Sequence, residues 1–265
     1  MKGLVSVIIP TYNASITIER ALKSIALQTY SDYEIIVIDD GSSDNTQEVV
    51  SEFRKEFNSI LVQYIVQKNL GPSSARNNGV KKSQGEFIAF LDADDEWHKD
   101  KLKIQIEIMQ DKKLIFLGSA YQYDEFDYEN IDGIKMEEYN FNDLLLKNRF
   151  STPGVIIRKD FLLELHGFDE SLRYVEDYDL WLRCALKFNL IGVENPKLVR
   201  LHKGAFGVSG LSSHMLDMFK GELLVAKKLL LSNDVSFFKY HFLIVLLFVK
   251  FFRRYMLKII NNAKS

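Results

Sequence analysis

The residues able to do chemistry in this chain sit in short polar clusters, and the densest is Asp92-Ala93-Asp94-Asp95. Carboxylates crowded this closely repel one another unless a cation lies among them. On an extended segment, residues two apart face the same side, so Asp92 and Asp94 are expected to point together. Oxygen ligands favour a hard divalent ion, Mg²⁺ or Mn²⁺, which keeps coordination positions open for phosphate oxygens. Arg76, shortly after Gly71-Pro72, carries a planar fork of donors suited to a diphosphate. Its plainer reading is a solvated arginine on a helix face. Pro10-Thr11-Tyr12-Asn13 and Asp39-Asp40-Gly41-Ser42-Ser43-Asp44 are two more clusters. Taken singly, each reads as a turn with a helix cap. Glu176-Asp177 is an acidic pair opening an amphipathic segment, where acids also complement a helix N-terminus.

These clusters need elements to hold them. Apolar, β-branched runs at 5–9, 34–38, 61–66 and 86–91 read as strands buried on both faces. Helix-period segments at 16–27, 46–57 and 73–83 separate them, with Asp44 and Gln47 spaced as a capping box and Pro72 at a helix start. Strand–helix repetition means βαβ units and an α/β, doubly wound sheet. Every polar cluster of the first hundred residues then falls at or just beyond a strand's carboxyl end, where such sheets collect ligands. The second half is less regular. Residues 121–143 read as loop or a peripheral element, 153–157 as a strand, and 159–165 and 177–188 as helices. Residues 204–213 form a Gly/Ser-rich loop, and helical patterning returns at 215–231 and 237–260.

Composition narrows the class. The 265 residues are 47% hydrophobic and 26% charged, which excludes disordered and low-complexity chains. A net charge of −2 implies no strong field for nucleic acid. One cysteine, Cys184, permits neither an internal disulfide nor a thiolate metal cluster, which fits a reducing cytoplasm, and the N-terminus lacks a signal peptide's apolar region. The charge is unevenly distributed: no acid follows Asp234, while Lys239, Lys250, Arg253, Arg254, Lys258 and Lys264 do. The apolar run 242–249 among them is too short to span a bilayer. It suits a helix lying in an anionic membrane interface, or one packed on the rest of the chain or a partner subunit.

The ordered set of motifs resembles the family 2 glycosyltransferases, inverting enzymes of the GT-A fold. It runs through residues 6–13, 38–46, 71–77 and 90–95, continues in Gly167-Phe168-Asp169-Glu170 and 176–183, and spans roughly residues 3–202. The resemblance implies a nucleotide-sugar donor, most often a UDP-sugar, and Mn²⁺ or Mg²⁺. It implies that Pro10, Thr11 and Tyr12 line the nucleoside pocket, Tyr12 stacking on uracil, and that Asp40 accepts from the uracil N–H. Arg76 would sit beside the base or phosphates, Asp92 at the ribose or the metal's water, and Asp94 on the metal itself. Asp177 matches the catalytic base, with Glu176 and Asp179 as competing candidates for that role, and with Glu176 and Trp181 otherwise near acceptor or donor sugar. His202 matches an Arg-x-His segment that closes over the donor diphosphate and is grouped with Asp94 at the metal. Loop 203–213 departs from the family's usual pattern and leaves Ser209 and Ser212 unassigned, as are His98, His166, His214 and His241.

The Gln-x-x-Arg-Trp motif of processive members is absent, so transfer of a single sugar is expected. The expected acceptor is a surface polysaccharide, a lipopolysaccharide or a lipid-linked saccharide, reached from the inner face of the cytoplasmic membrane. The expected organisation is a catalytic GT-A domain over 1–213, with a smaller acceptor-side region, and a C-terminal helical extension over 214–265. A sugar-1-phosphate nucleotidyltransferase would need a Gly-rich, Arg-containing loop where Pro10-Thr11-Tyr12-Asn13 stands, and an NAD-binding module would need G-x-G-x-x-G there. A non-catalytic, glycan-binding descendant would have no need to keep Asp40, Asp94 and Asp177 together.

Overall fold

The computed structural model describes residues 3–126, 133–202 and 214–262. Along the first third run β1 (Val5–Thr11), α1 (Ile18–Ala26), β2 (Tyr33–Asp39), α2 (Thr46–Glu56), β3 (Val62–Val66), α3 (Pro72–Lys82) and β4 (Phe87–Phe90). The four strands are parallel, in the order β3-β2-β1-β4. Alternation within them divides the core: Val5, Val7 and Ile9 pack in one hydrophobic layer, Ile8 in the other. Ile35 and Val37 join α1 and α2 in the first layer, while Ile36 and Ile38 meet Ala75 of α3 across the sheet. Helices on both faces make the sheet doubly wound, as the strand–helix pattern predicts.

Downstream lie β5 (Glu96–Trp97), α4 (Lys101–Asp111), β6 (Phe116–Ser119), β7 (Tyr121–Gln122), β8 (Lys135–Tyr139), α5 (Phe141–Leu146), β9 (Ile156–Arg158) and α6 (Lys159–Glu164). Then come α7 (Glu176–Ala185), β10 (Leu190–Asn195), β11 (Val199–Arg200), α8 (Met215–Leu231) and α9 (Phe237–Asn262). The main sheet continues β4-β9-β6-β10-β8, and β5, β11 and β7 form a small second sheet. Beyond β4 the sheet is mixed, because β9 lies antiparallel between β4 and β6.

One expectation changes, and two gain detail. The segment 121–143, expected as loop or a peripheral element, supplies β7, the edge strand β8 antiparallel to β10, and the first half of α5, whose N-cap Asn140 forms a full capping box with Asp143. Asp44 makes no capping box with Gln47. It accepts from Thr46 at the start of α2 and from the Ser15 N–H at 3.0 Å, joining the loops after β1 and β2. In the C-terminal helical extension, Val225 and Leu229 of α8, with Val235 and with Leu243 of α9, lie in the same core layer as Phe168, Leu180 and Trp181.

Candidate active site

The loops after β1 and β2 are tied together before any ligand arrives. The Asp40 N–H donates to Thr11 O at 2.8 Å, and Asn13 exchanges hydrogen bonds with Ser42 and Ser43. Thr11 is buried, its hydroxyl without a partner among the described residues, Pro10 is half-buried, and Tyr12 is 54% exposed, an open ring face at the mouth of the site. Asp40 is buried and accepts from the Gln67 side chain at 2.8 Å and from the Leu70 and Gly71 N–H groups at 2.9 and 2.8 Å. Those bonds fix the turn into α3, where Gly71 holds φ of +93°. A carboxylate offers about four acceptor positions, so roughly one remains for a ligand N–H.

Asp92, Ala93, Asp94 and Asp95 form a turn beyond β4, closed by Asp95 N–H to Asp92 O at 3.0 Å. The alternation expected for an extended segment therefore does not apply to Asp92 and Asp94. Arg76 also differs from expectation. It is buried, 5% exposed, and its guanidinium bridges Asp92 at 2.9 Å and Glu176 at 2.7 Å over the Phe168 ring. It is neither a solvated helix arginine nor a fork open toward phosphate. It neutralises part of the acidic turn from within and locks the head of α7 to the end of β4. Burial opposes its charge, but Asp92 and Glu176 more than offset that and hold it protonated.

The Arg76–Glu176 bond leaves Asp177 next along the helix. Its carboxylate accepts from its neighbour's N–H, Tyr178, at 2.6 Å and loosely from the Asn148 side chain at 3.5 Å. Burial, then the adjacent Glu176 charge, pushes its pKa up to about 7. The helix starts from Val175 in left-handed conformation, φ +58°, an uncommon geometry for a β-branched residue and of the kind found at functional sites.

Two sequence candidates take other places. Trp181 is fully buried, edge-on to Phe116 and Phe168, and presents no face to a sugar. Its role is packing, because helical spacing carries it away from the site and into the core layer beneath α7. His202 places Nε2 2.8 Å from Glu96 and its N–H 3.3 Å from Asp95, so it belongs to a rim pair rather than sitting on Asp94. The loop 203–213, with Ser209 and Ser212, lies outside the described residues. Glu96, which also faces Arg200 at 3.7 Å, and Asn148 escaped the sequence reading. Glu96 stands two residues past Asp94, a signal that was available; nothing in the spacing marks Asn148.

Among the described residues no cluster of three or more His, Cys, Asp or Glu is arranged to enclose a metal. The donor set nonetheless fits a hard ion. Asp92 keeps one carboxylate oxygen outside its bond to Arg76, Asp94 is half-buried beside it, and no thiolate is near. One or two carboxylates suffice for Mg²⁺ or Mn²⁺ when phosphates and water complete the shell.

A wound sheet that gathers acids, a buried arginine and an open tyrosine at its carboxyl edge defines an α/β protein built to hold a nucleotide-like ligand. The family model "Glycosyl transferase family 2" matches residues 6–165, and the chain belongs to that family. It is 35% identical over 194 residues to UDP-Glc:alpha-D-GlcNAc-diphosphoundecaprenol beta-1,3-glucosyltransferase WfgD of Escherichia coli, covering 72% of this chain and 73% of that protein. It is 40% identical over 188 residues to TuaG of Bacillus subtilis, named for teichuronic acid biosynthesis, covering 70% and 73%. An uncharacterized glycosyltransferase of Rickettsia felis is 34% identical over 193 residues, 72% of this chain but 31% of that longer protein. The match thus spans about a third of that rickettsial relative.

Among solved structures, S. aureus TarS 1–349 in complex with UDP-GlcNAc aligns with a TM-score of 0.71 at 22% identity, covering 94% of this chain and 72% of that one. Mannosyltransferase PcManGT from Pyrobaculum calidifontis, in complex with GDP-Man and Mn²⁺, aligns at 0.67 and 20% identity, covering 85% and 64%. These likenesses establish the GT-A fold.

Proposed function

We propose that this glycosyltransferase moves one sugar from a nucleotide-sugar, a UDP-sugar, to a saccharide hydroxyl with inversion at the anomeric carbon. The observation that carries the reading is the position of Asp177, beside a Glu176 that Arg76 ties to the acidic turn of β4. In a single displacement the acceptor hydroxyl attacks opposite the leaving diphosphate, and one carboxylate takes its proton as the bond forms. Asp177 is that base. Its elevated pKa matches a group that must accept a proton near neutral pH. Thr11, Tyr12 and Asp40 hold the nucleoside. Arg76 keeps Asp92 and Glu176 in place, and Asp94 with Asp92 would hold a divalent cation. That ion, when bound, neutralises the charge growing on the leaving diphosphate, so no acid is required there.

WfgD is named for a diphosphoundecaprenol-linked acceptor. That name, with the exposed apolar residues of α8 and α9, supports a lipid-linked saccharide as acceptor and a place on the inner membrane surface. Among the described residues no helix is long and apolar enough to cross a membrane. The test is Asp177→Asn, assayed for UDP binding and for transfer. Retained binding with transfer reduced by about 10³-fold or more is expected from loss of a general base and its negative charge. Unchanged transfer would remove Asp177 from the mechanism. Separately, activity that survives chelation would refute the metal assignment.

A further inference from the structure

The order of strands along the ligand edge sets an order of ligand parts. Asp40 comes after β2, Thr11 ends β1 and Asp92 comes after β4, so the residues assigned to nucleoside and diphosphate lie in sequence across β2, β1 and β4. Continuing the same way, β9 and then β6 come next, about 10 Å past β4 at ~4.8 Å per strand. Because β4 and β6 are each antiparallel to β9, they run in the same direction, and β6 ends on the same edge. The sugar-bearing end of a donor, and the acceptor behind it, lie on this side.

Just beyond β6 stands an aromatic pair that the core does not use. Tyr121 and Tyr123 are 38% and 43% exposed, with ring centroids 5.8 Å apart at 80°, and neither joins the hydrophobic clusters of the described residues. The backbone beneath them is firmly held. Tyr121 pairs with Val199, the Leu201 N–H donates to Gln122 O at 2.9 Å, and the Ala120 N–H donates to Val193 O at 2.8 Å. Burial, then the neighbouring Tyr121 and the charge on Asp95, raises the pKa of Tyr123. On the face of the small sheet that carries Gln122, Glu96 lies 2.8 Å from His202, and Arg200 lies 3.7 and 3.8 Å from Glu96 and Glu125.

Exposed rings on a held backbone, near the charge of Asp95, suit a ligand that is apolar on one face and hydroxylated at its edge. A pyranose is such a ligand: its axial C–H groups lie on a ring face, and its hydroxyls find partners at the rim. We infer that Tyr121 and Tyr123 form a platform for a sugar ring of the acceptor, which sets the acceptor's approach to the donor. This role rests on the glycosyl-transfer reading of the site.

The experiment uses the full chain, the double variant Tyr121→Ala/Tyr123→Ala, and Tyr121→Phe/Tyr123→Phe. Binding of a GlcNAc-α-diphosphate bearing a short alkyl chain is followed by ligand-observed NMR with UDP and Mg²⁺ present. Acceptor-free hydrolysis of UDP-sugars and transfer to the same probe are measured in parallel. The alanine pair should weaken the probe's binding about tenfold, raise its KM, and lower the ratio of transfer to hydrolysis by a similar factor. The phenylalanine pair, which keeps the rings, should stay within about threefold of the original protein. A probe that fails to bind the original protein, or binds the alanine pair equally well, overturns the platform. So does an equal fall in hydrolysis and transfer, which would assign the rings to the donor. If the original protein neither hydrolyses nor transfers any nucleotide-sugar, the glycosyl-transfer reading falls, and the binding arm still decides whether the tyrosines hold a sugar.

Discussion

Asp177 and Glu176 are adjacent carboxylates with different tasks because only one has a cation. Glu176 is bonded to Arg76 at 2.7 Å, while among the described residues Asp177 is bonded to amide donors alone. A base works only when ionised, so kcat/KM should fall about tenfold per pH unit below the pKa of Asp177, which burial and Glu176 place at about 7. Glu176→Gln removes the neighbouring negative charge, favours ionised Asp177, and should move that acidic limb to lower pH; a pH–rate profile of both proteins checks it. A limb that stays put would mean that another group sets it. Lys101 is a buried cationic residue of another kind, fully enclosed, bonded to Gln105 at 2.6 Å and lying 4.2 Å from the Trp97 ring. Burial drives its pKa well below the ordinary 10.5, so the folded protein binds fewer protons there than the unfolded chain. Stability then rises with pH up to the unfolded value, and at pH 7 the lysine is a cost. Lys101→Met should raise stability to urea at pH 7 by about 1 kcal/mol or more, with the gain shrinking towards pH 10. A variant less stable at every pH would show that packing against Trp97 and Gln105 outweighs the titration.

At the scale of elements, α8 is what holds the head of α7. Gly221 leaves no room for a side chain: an added Cβ would lie 2.8 Å from Val175 Cγ2 and 3.1 Å from Tyr174 O, in the segment leading to Asp177. Further along α8, Lys228 bridges Asp169 at 2.7 Å and the buried Asp179 at 2.6 Å. Gly221→Ala gains about 1 kcal/mol of helix propensity and loses roughly 1–3 kcal/mol to overpacking. The net should be zero to about 2 kcal/mol of destabilisation, with transfer falling more than UDP binding because Val175 and Asp177 move together. Thermal unfolding and parallel binding and transfer assays test this; a variant with unchanged transfer would show that α8 does not set the base. None of this was legible in sequence, and the reason is distance along the chain. The strands β1 to β4 and helices α1 to α3 announce themselves locally, through runs such as Ser6-Val7-Ile8-Ile9 and spacings such as Ile18, Ala21, Leu22 and Ile25. The polar edge strand Lys135-Met136-Glu137-Glu138-Tyr139 does not, since its strand character comes from pairing with β10, far later in the chain. The same holds for the site. The residues at strand ends could be named, but the Arg76–Glu176 bond joins positions 100 apart, and only the fold shows that the arginine faces inward.

For the whole molecule, α9 has one buried and one exposed apolar side. Its inner side, with Leu243 and Leu247, is buried. Its outer side repeats Phe238, Phe242, Val245, Val249, Phe252 and Met256 at alternating steps of four and three, every one exposed, with Leu224 and Leu231 of α8 also uncovered. Helical spacing of this kind makes a continuous apolar stripe, which in water is unfavourable and in a bilayer interface is not. The basic residues of the tail divide into two kinds. Lys239 is bonded to Asn142, Lys250 to the Leu146 carbonyl and Arg254 to Glu222, whereas Arg253 faces outward. Hydrophobic insertion should therefore dominate attachment, with anionic lipid a secondary contribution. Each phenylalanine side chain that leaves water contributes about 1.5–3 kcal/mol, so Phe242→Ser with Phe252→Ser should weaken binding to phosphatidylglycerol-containing vesicles by at least about tenfold. Raising salt should weaken it by less. Both substituted positions are exposed, so the fold and donor hydrolysis in solution should survive, which truncating 236–265 would not allow because Val225 and Leu229 would lose their cover from Leu243. Flotation of the original and substituted proteins decides the matter: equal flotation refutes attachment through α9, and a stable dimer that the substitutions dissociate would assign the stripe to a second copy of the chain.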